Sequence, residues 1–524
     1  MPNLTDSSRV KFSWLCDLMA DIRAQTGATK ARVFVEKCLN RFSRQCDMFP
    51  LLRLLIPAAD RERTNYHVKE ASLAKLFSEI LAVKASDRER LKNYKDPSKQ
   101  PLGKAGDFVS VLSSVLEGRL FHSGPSATVA EVNGLLDQMA AADDVDTRKS
   151  VLLQAVKKLS NKEAEEFVRI CLKDLRLGIG HESILKRLHP DALKLYNMCT
   201  DLKRVCAEAA AHPEGISSVA GRGGDGEGGE GGEQAEGGGS SAADPDTLPV
   251  FFFCAMRPML ARPLEPSKRP ITEALFNPNL EAEDKRYFCE TKFDGERLLV
   301  HVDRRRPEGD QIAMFSRNGS NYTDLYGPSI SPHILSGFRG LRGLLDGEIL
   351  GWDEATQTFL PFGTVKSVAI AANANRAAGR RGEEDQKLQR HLVFVAFDLV
   401  FFQSNEMREK GEKGLDLTGT GFEQRRRLLM RALEEKPPYL RIAESTLAES
   451  TAQIEASFEA ALKARDEGIV VKRGTAPYMH VGKGAAQRDG WWKMKPSEGT
   501  LGDTLDLLCV GGFVADGMRR RDAV

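Results

Sequence analysis

Between Gly221 and Ala242 the chain is built almost wholly of Gly, Glu and Ser. Such a stretch has nearly nothing apolar to bury, so it cannot join a packed core. It divides the 524 residues into two parts that must each find a core of their own. Up to about Cys206 the pattern is helical. Leu73, Leu76, Phe77, Ile80 and Leu81 repeat at helical spacing within Ala71–Val83, which predicts an amphipathic helix. Ser160-Asn161-Lys162-Glu163 just ahead of Phe167, Val168, Ile170 and Leu172 is a capping-box signature. From Phe251 onward, β-prone runs dominate: Arg297–Val302, Leu344–Trp352, Leu392–Phe402 and Gly468–Lys472, with a helix expected over Thr451–Arg465. The polar, Arg- and Ala-rich stretch from Ala369 to Gln389 reads as an extended surface loop, and Leu505–Phe513 as a strand. The expected organisation is an all-α domain over 1–212, a Gly/Glu-rich linker or insertion over 213–248, an α+β domain over 249–498 and a short further segment, 499–524.

Charge narrows little. Lys and Arg total 75 against 74 Asp and Glu, so a basic surface for a polyanion must be local. The nine cysteines are scattered, without the CxxC spacing of a zinc site. No signal-peptide core opens the chain, and no apolar run is long enough to span a bilayer. The reading is a reduced, soluble, intracellular protein with no membrane partner. Arg304-Arg305-Arg306 and Arg425-Arg426-Arg427 are too short to serve as import signals.

Chemistry concentrates in the second part. Glu290-Thr291-Lys292-Phe293-Asp294-Gly295-Glu296-Arg297 sets a lysine, an Asp-Gly turn and an arginine within six positions. The turn can bring Lys292 and Arg297 to one side, facing a phosphate, although the string alone also suits a surface hairpin. A lysine attacks only when neutral, and deprotonating it at neutral pH costs roughly 4 kcal/mol. Enclosure, nearby cations or a metal reduce that cost. Asp346-Gly347-Glu348 ends a β-rich run and offers a carboxylate at a strand edge. Asp466-Glu467-Gly468, followed by Ile469-Val470-Val471-Lys472, offers a second carboxylate, a strand and a lysine. Two carboxylates beside nucleotide phosphates suit Mg²⁺, which keeps its waters and needs few protein ligands. Trp491-Trp492-Lys493-Met494-Lys495 places two lysines on one face of a strand and Met494 on the other. Phe397, in an apolar strand with Asp398, can stack on a base, and Arg317 adds a cation for ribose or phosphate.

In this order, these strings resemble the motifs of the covalent nucleotidyltransferases: DNA ligases, RNA ligases and mRNA capping enzymes. Within them the chain is most similar to the eukaryotic DNA ligases, through Arg257-Pro258-Met259-Leu260-Ala261 and the helical first part. Its strings Lys173-Asp174-Leu175-Arg176-Leu177-Gly178, Asn321-Tyr322-Thr323-Asp324 and Thr356-Gln357-Thr358-Phe359 resemble the DNA ligase IV branch. The resemblance implies a helical DNA-binding domain, an adenylation (nucleotidyltransferase) domain and the beginning of an OB-fold β-barrel over 499–524. It implies that Lys292 attacks the α-phosphorus of ATP and carries AMP. Glu290 and Thr291 would contact adenine and Phe397 would stack on it, with Phe293 also at the nucleotide. Arg297 and Arg317 would hold ribose and phosphate. Glu348 and Glu467 would serve Mg²⁺ and nucleotide, and Lys472, Lys493 and Lys495 the phosphates.

The same resemblance implies nicked or broken double-stranded DNA as substrate, double-strand break repair by non-homologous end joining, and a nuclear location. A coiled-coil end-joining scaffold is implied as partner of the full-length protein. The region that binds it, the basic sixth motif and the BRCT domains do not appear in this sequence, which sets an expectation of slow self-adenylation. The branch often carries a lysine near Phe362, so phenylalanine here removes a cation. Two other readings share the motifs: an RNA ligase or capping guanylyltransferase, against which the long helical part speaks, and a non-catalytic DNA-end-binding protein.

Overall fold

The structure, a computed structural model, describes residues 4–25, 27–100, 105–117, 126–216, 251–264, 270–276, 280–377, 390–478 and 490–496. The linker expected around 221–242, the strand at 505–513 and the OB-fold segment 499–524 lie outside the described residues. The described residues form two compact units.

The regular secondary structure of the N-terminal unit is helical among its described residues, apart from isolated bridges. The apolar repeat read in the sequence becomes the helix Glu70–Ile80, with Leu73, Leu76 and Phe77 buried. The capping box forms as read: Ser160 and Glu163 exchange side-chain-to-backbone hydrogen bonds at the start of Asn161–Cys171, as Thr128 and Glu131 do at Val129–Ala141. Each pair satisfies donors that a helix start leaves open, a contribution of about 1 kcal/mol. Asp107 caps Phe108–Leu116 and pairs with Arg169 at 2.8 Å. It thereby ties that helix to Asn161–Cys171.

The second unit holds two sheets. Its strands, in chain order, are β1 (Arg262–Pro263), β2 (Tyr287–Thr291), β3 (Glu296–Asp303), β4 (Ile312–Ser316), β5 (Arg342–Asp353), β6 (Thr358–Phe359), β7 (Arg390–Gln403), β8 (Leu415–Asp416), β9 (Leu440–Ile442), β10 (Ser445–Ala448), β11 (Ile469–Arg473) and β12 (Trp491–Met494). One sheet runs β1-β12-β11-β2-β10, and the other β4-β3-β5-β7-β8, with β6 on β5 and β9 on β7. The long β5 and β7 are covered on both faces, which is why they read as continuous apolar runs rather than alternating ones. The two-residue period still sorts their side chains. Leu345, Ile349, Leu392 and Phe394 join a core against the helices Thr323–Gly337, Val365–Ala377 and Phe422–Ala432. Leu350, Trp352, Val393 and Val395 face the other way, with Phe293, Phe359 and Phe397 against them.

Two expectations need correction. Asp346-Gly347-Glu348 does not end a strand at an edge; it lies within β5, between β3 and β7. Gly347 marks close packing rather than a turn, because a Cβ there would sit 2.5 Å from the Phe394 ring and the Val395 carbonyl oxygen. The supposed loop from Ala369 starts inside the helix Val365–Ala377, while 378–389 lie outside the described residues. Its alanines favour helix, and Val365, Val368 and Ala369 give it a buried face. Asn373 and Arg376 bond to the Leu325 carbonyl and the Ser329 hydroxyl of the neighbouring helix. Polarity alone pointed to a loop; the apolar spacing that precedes it was the better signal.

Candidate active site

Three neighbouring strands set the reactive group. Lys292 directly follows β2, and its backbone N–H donates to the Gly468 carbonyl at 2.9 Å. Gly468 has φ +138°, and a Cβ there would lie 2.0 Å from the Met494 carbonyl oxygen, so only glycine lets β11 begin this close to β12. Glu467 is thereby held opposite Lys292. One carboxylate oxygen accepts from the Lys292 amine and the other pairs with the Lys495 amine. On β12, Lys493 is half-buried while Met494 turns into the core, as the strand period requires. Burial, then crowding by the charges of Lys495, Lys292 and Arg317, lowers the Lys493 amine below its ordinary value. Burial opposes ionisation of Glu467, yet the hydrogen bonds of Lys292 and Lys495 outweigh it and hold the carboxyl below its usual range.

Beneath this cationic rim lies a buried, ion-paired floor. Lys472 is 1% exposed. Its amine pairs with Glu290 at 2.6 Å, donates to the Phe397 carbonyl at 3.2 Å and lies over the rings of Phe397, Phe422 and Trp491. Burial pushes the Glu290 carboxyl up and the Lys472 amine down, and the pairing opposes both shifts. Arg426 reaches Glu290 at 3.4 Å and donates to the Ala443 carbonyl. Arg297 grips Asp346 through Nε at 2.9 Å and Nη2 at 2.5 Å, and its Nη1 donates to the Met259 carbonyl at 2.6 Å. Both Arg297 and Lys292 line the cavity, yet three guanidinium nitrogens of Arg297 already have protein acceptors. Glu348 is pushed up to about 8 by burial, against the charges of Arg297 and Lys292.

All of the residues singled out in the sequence come together. Glu290, Thr291, Lys292, Phe293, Arg297, Arg317, Glu348, Phe397, Glu467, Lys472, Lys493 and Lys495 line one cavity of about 370 Å³. Leu260, Val470 and Trp491 supply apolar wall, and the ring of Phe362, 64% exposed, also lines it. Aromatic and aliphatic walls with a cluster of cations at one side suit a planar base joined to phosphates.

The family profile for the ATP dependent DNA ligase domain matches residues 258–495. That for the DNA ligase N terminus matches residues 11–189, and together they take in most of the chain. The chain belongs to the ATP-dependent DNA ligase family. DNA ligase 4 of Dictyostelium discoideum is 30% identical over 522 residues, 98% of this chain and 45% of that protein. DNA ligase 4 of Homo sapiens is 29% identical over 540 residues, 98% of this chain and 51% of that protein. The chain thus spans about half the length of the curated relatives it matches. Among solved structures, mycobacterial DNA ligase D complexed with ATP and MES is 23% identical, covering 40% of this chain and 55% of that one, with a TM-score of 0.26.

Sequence reading of this ligase-family site missed the partners beneath the cavity. Asp346 and Asp398 are fully buried, and Asp398 is clamped by Arg425 through Nε at 2.8 Å and Nη2 at 2.9 Å. A carboxylate inside an apolar strand must be paired or neutral, so Asp398 within Leu392–Phe402 was a usable signal for a buried cation. Nothing local pointed to Arg425, Arg426 or Tyr478 as those partners.

Proposed function

We propose that the chain is an ATP-dependent DNA ligase that carries AMP on Lys292 and passes it to a 5′-phosphate at a break in double-stranded DNA. The 3′-hydroxyl then displaces AMP and closes the strand. The observation that carries this reading is the Lys292 amine held against Glu467 within a cavity ringed by Lys493, Lys495 and Arg317. There, cations face the charge that grows on an α-phosphate in the transition state. In bond terms, the lysine nitrogen forms a bond to the α-phosphorus, the bond to pyrophosphate breaks, and the amine loses a proton. Glu290 and Thr291 serve the adenine edge, Phe397 and Phe293 its faces, Arg297 and Arg317 the ribose and phosphate side, and Lys472, Lys493 and Lys495 the phosphates.

Glu348 and Glu467 are the carboxylates fit for Mg²⁺. Both are hard oxygen donors on the cavity wall, and no group of three or more acidic, His or Cys side chains that could hold a metal occurs among the described residues. That suits an ion held largely by phosphates and water. Bound there, Mg²⁺ would neutralise phosphate charge and draw Glu467 from Lys292. The kinship with proteins named DNA ligase 4 supports strand-break repair by end joining in the nucleus, with a coiled-coil scaffold as partner of the full-length protein. No helix among the described residues is long and apolar enough to cross a membrane.

Mass spectrometry of the protein after ATP and Mg²⁺ tests the central step. Wild type is expected to gain one AMP on Lys292, and Lys292→Ala none. Absence of the adduct in wild type, or equal labelling of the variant, overturns the reading.

A further inference from the structure

Tyr478 stands outside every motif read in the sequence, six positions beyond Lys472 in the loop after β11. It is 1% exposed. Its hydroxyl donates to Asp346 Oδ2 at 2.6 Å, the oxygen that also accepts from Arg297 Nη2. Asp346 is wholly buried, so no bulk water can replace a donor lost there. The Arg297 guanidinium that Asp346 holds lies over the rings of Phe397 and Trp491, at 5.2 and 5.6 Å. Those two rings also cover Lys472, the partner of Glu290. The path from Tyr478 to the cavity wall is therefore unbroken: hydroxyl, carboxylate, guanidinium, then the aromatic pair that lines the cavity. Burial and the neighbouring Asp346 charge hold the Tyr478 phenol well above its ordinary value, so it stays a donor throughout the neutral range.

We propose that Tyr478 is a positioning residue of the nucleotide pocket, fixing Arg297 through Asp346 so that Phe397 and Trp491 present a preformed floor to the base. This rests on the reading of the cavity as a nucleotide site. Ring and hydroxyl have separable tasks. The ring packs edge-on against Trp491 at 6.0 Å, a contact that phenylalanine keeps, whereas the bond to Asp346 belongs to the hydroxyl. Removing the hydroxyl leaves the fold and loosens the floor, which weakens binding of nucleotide without touching the reacting atoms.

The test is Tyr478→Phe, alone and combined with Arg297→Lys, in the full chain. Calorimetry with ATP in the absence of Mg²⁺ reads binding without chemistry, and labelling of Lys292 with Mg²⁺ reads KM and the rate at saturation. For Tyr478→Phe we expect Kd and KM to rise about fivefold, the saturated rate to stay within about twofold, and the melting temperature to fall by roughly a few degrees. In the Arg297→Lys background the same change adds much less, because the two side chains act as one unit. Unchanged Kd and KM overturn the proposal. So do fully additive effects, or a loss confined to the saturated rate and the melting temperature. If wild type binds ATP but never labels, the ligase reading falls while the Kd comparison still decides Tyr478. If wild type does not bind ATP, both fall.

Discussion

The bond between Lys292 and Glu467 sets a condition on chemistry at the level of single atoms. A carboxylate partner favours the protonated amine, which has no lone pair, so attack on phosphorus requires the amine to give up a proton, and Lys495 already holds the second oxygen of Glu467. Glu467 is thus both the restraint on the nucleophile and the group that anchors the cationic rim. Glu467→Gln keeps the shape and removes the charge that binds both lysines. We expect single-turnover labelling with ATP to slow by about 100-fold or more, with little change in melting temperature, since both partners are about a quarter exposed and such pairs stabilise weakly. A rate within twofold of wild type would show that Glu467 has no part in the step.

Elements place these atoms through their spacing. The two-residue period of β5 sends Asp346 to Arg297 and Ile349 to the opposite core, and that of β7 sends Val395 toward the cavity side and Phe394 away from it. A one-residue slip of either strand would exchange the two sets. The helix Val365–Ala377 braces that opposite core through Val365, Val368 and Ala369. Ala371 lies on its exposed face, where a loop would accept proline. In a helix, Ala371→Pro removes a backbone donor and clashes with the preceding turn, at a cost of about 3 kcal/mol. Chemical denaturation of the variant is expected to show that loss in the sheet-containing unit, and an unchanged midpoint would contradict the helix.

At the scale of the whole molecule, buried titratable groups in each unit tie its stability to pH in their own window. His301 in β3 is fully buried against Phe252, Phe253 and Phe315, and burial lowers its imidazole from 6.5 to about 3. Once unfolded it takes a proton near 6.5, so its contribution is whole above that pH. It falls as pH drops toward 3, by up to about 1.4 kcal/mol per unit. Asp107 in the helical unit is held at about 2: burial raises it, but the charges of Arg169 and Arg176 and the bonds of Arg169 and Ser110 prevail. Its contribution is whole above about 4 and is lost only as pH falls through 2. Calorimetric scans between pH 6.5 and 4.5 should therefore show the sheet-containing unit of His301→Phe losing less melting temperature, or gaining more, than that of wild type, whatever the raised Glu348 carboxyl adds to both. The same pH dependence in variant and wild type would count against this assignment.

Local signals in the sequence were enough for most of the elements, the helix Val365–Ala377 excepted, and for the cavity's lining. Helical spacing, caps and two-residue periods are properties of neighbours along the chain, and the cavity-lining lysines, glutamates and Phe397 sit in short strings whose chemistry is apparent residue by residue. The third layer was not legible in this way. That Asp346 lies mid-sheet, that Gly347 makes room for Phe394, and that Arg425 and Tyr478 satisfy Asp398 and Asp346 were decided only by folding. A buried carboxylate announces that it needs a partner, but that partner is chosen by which distant segment the packed core brings within hydrogen-bonding reach.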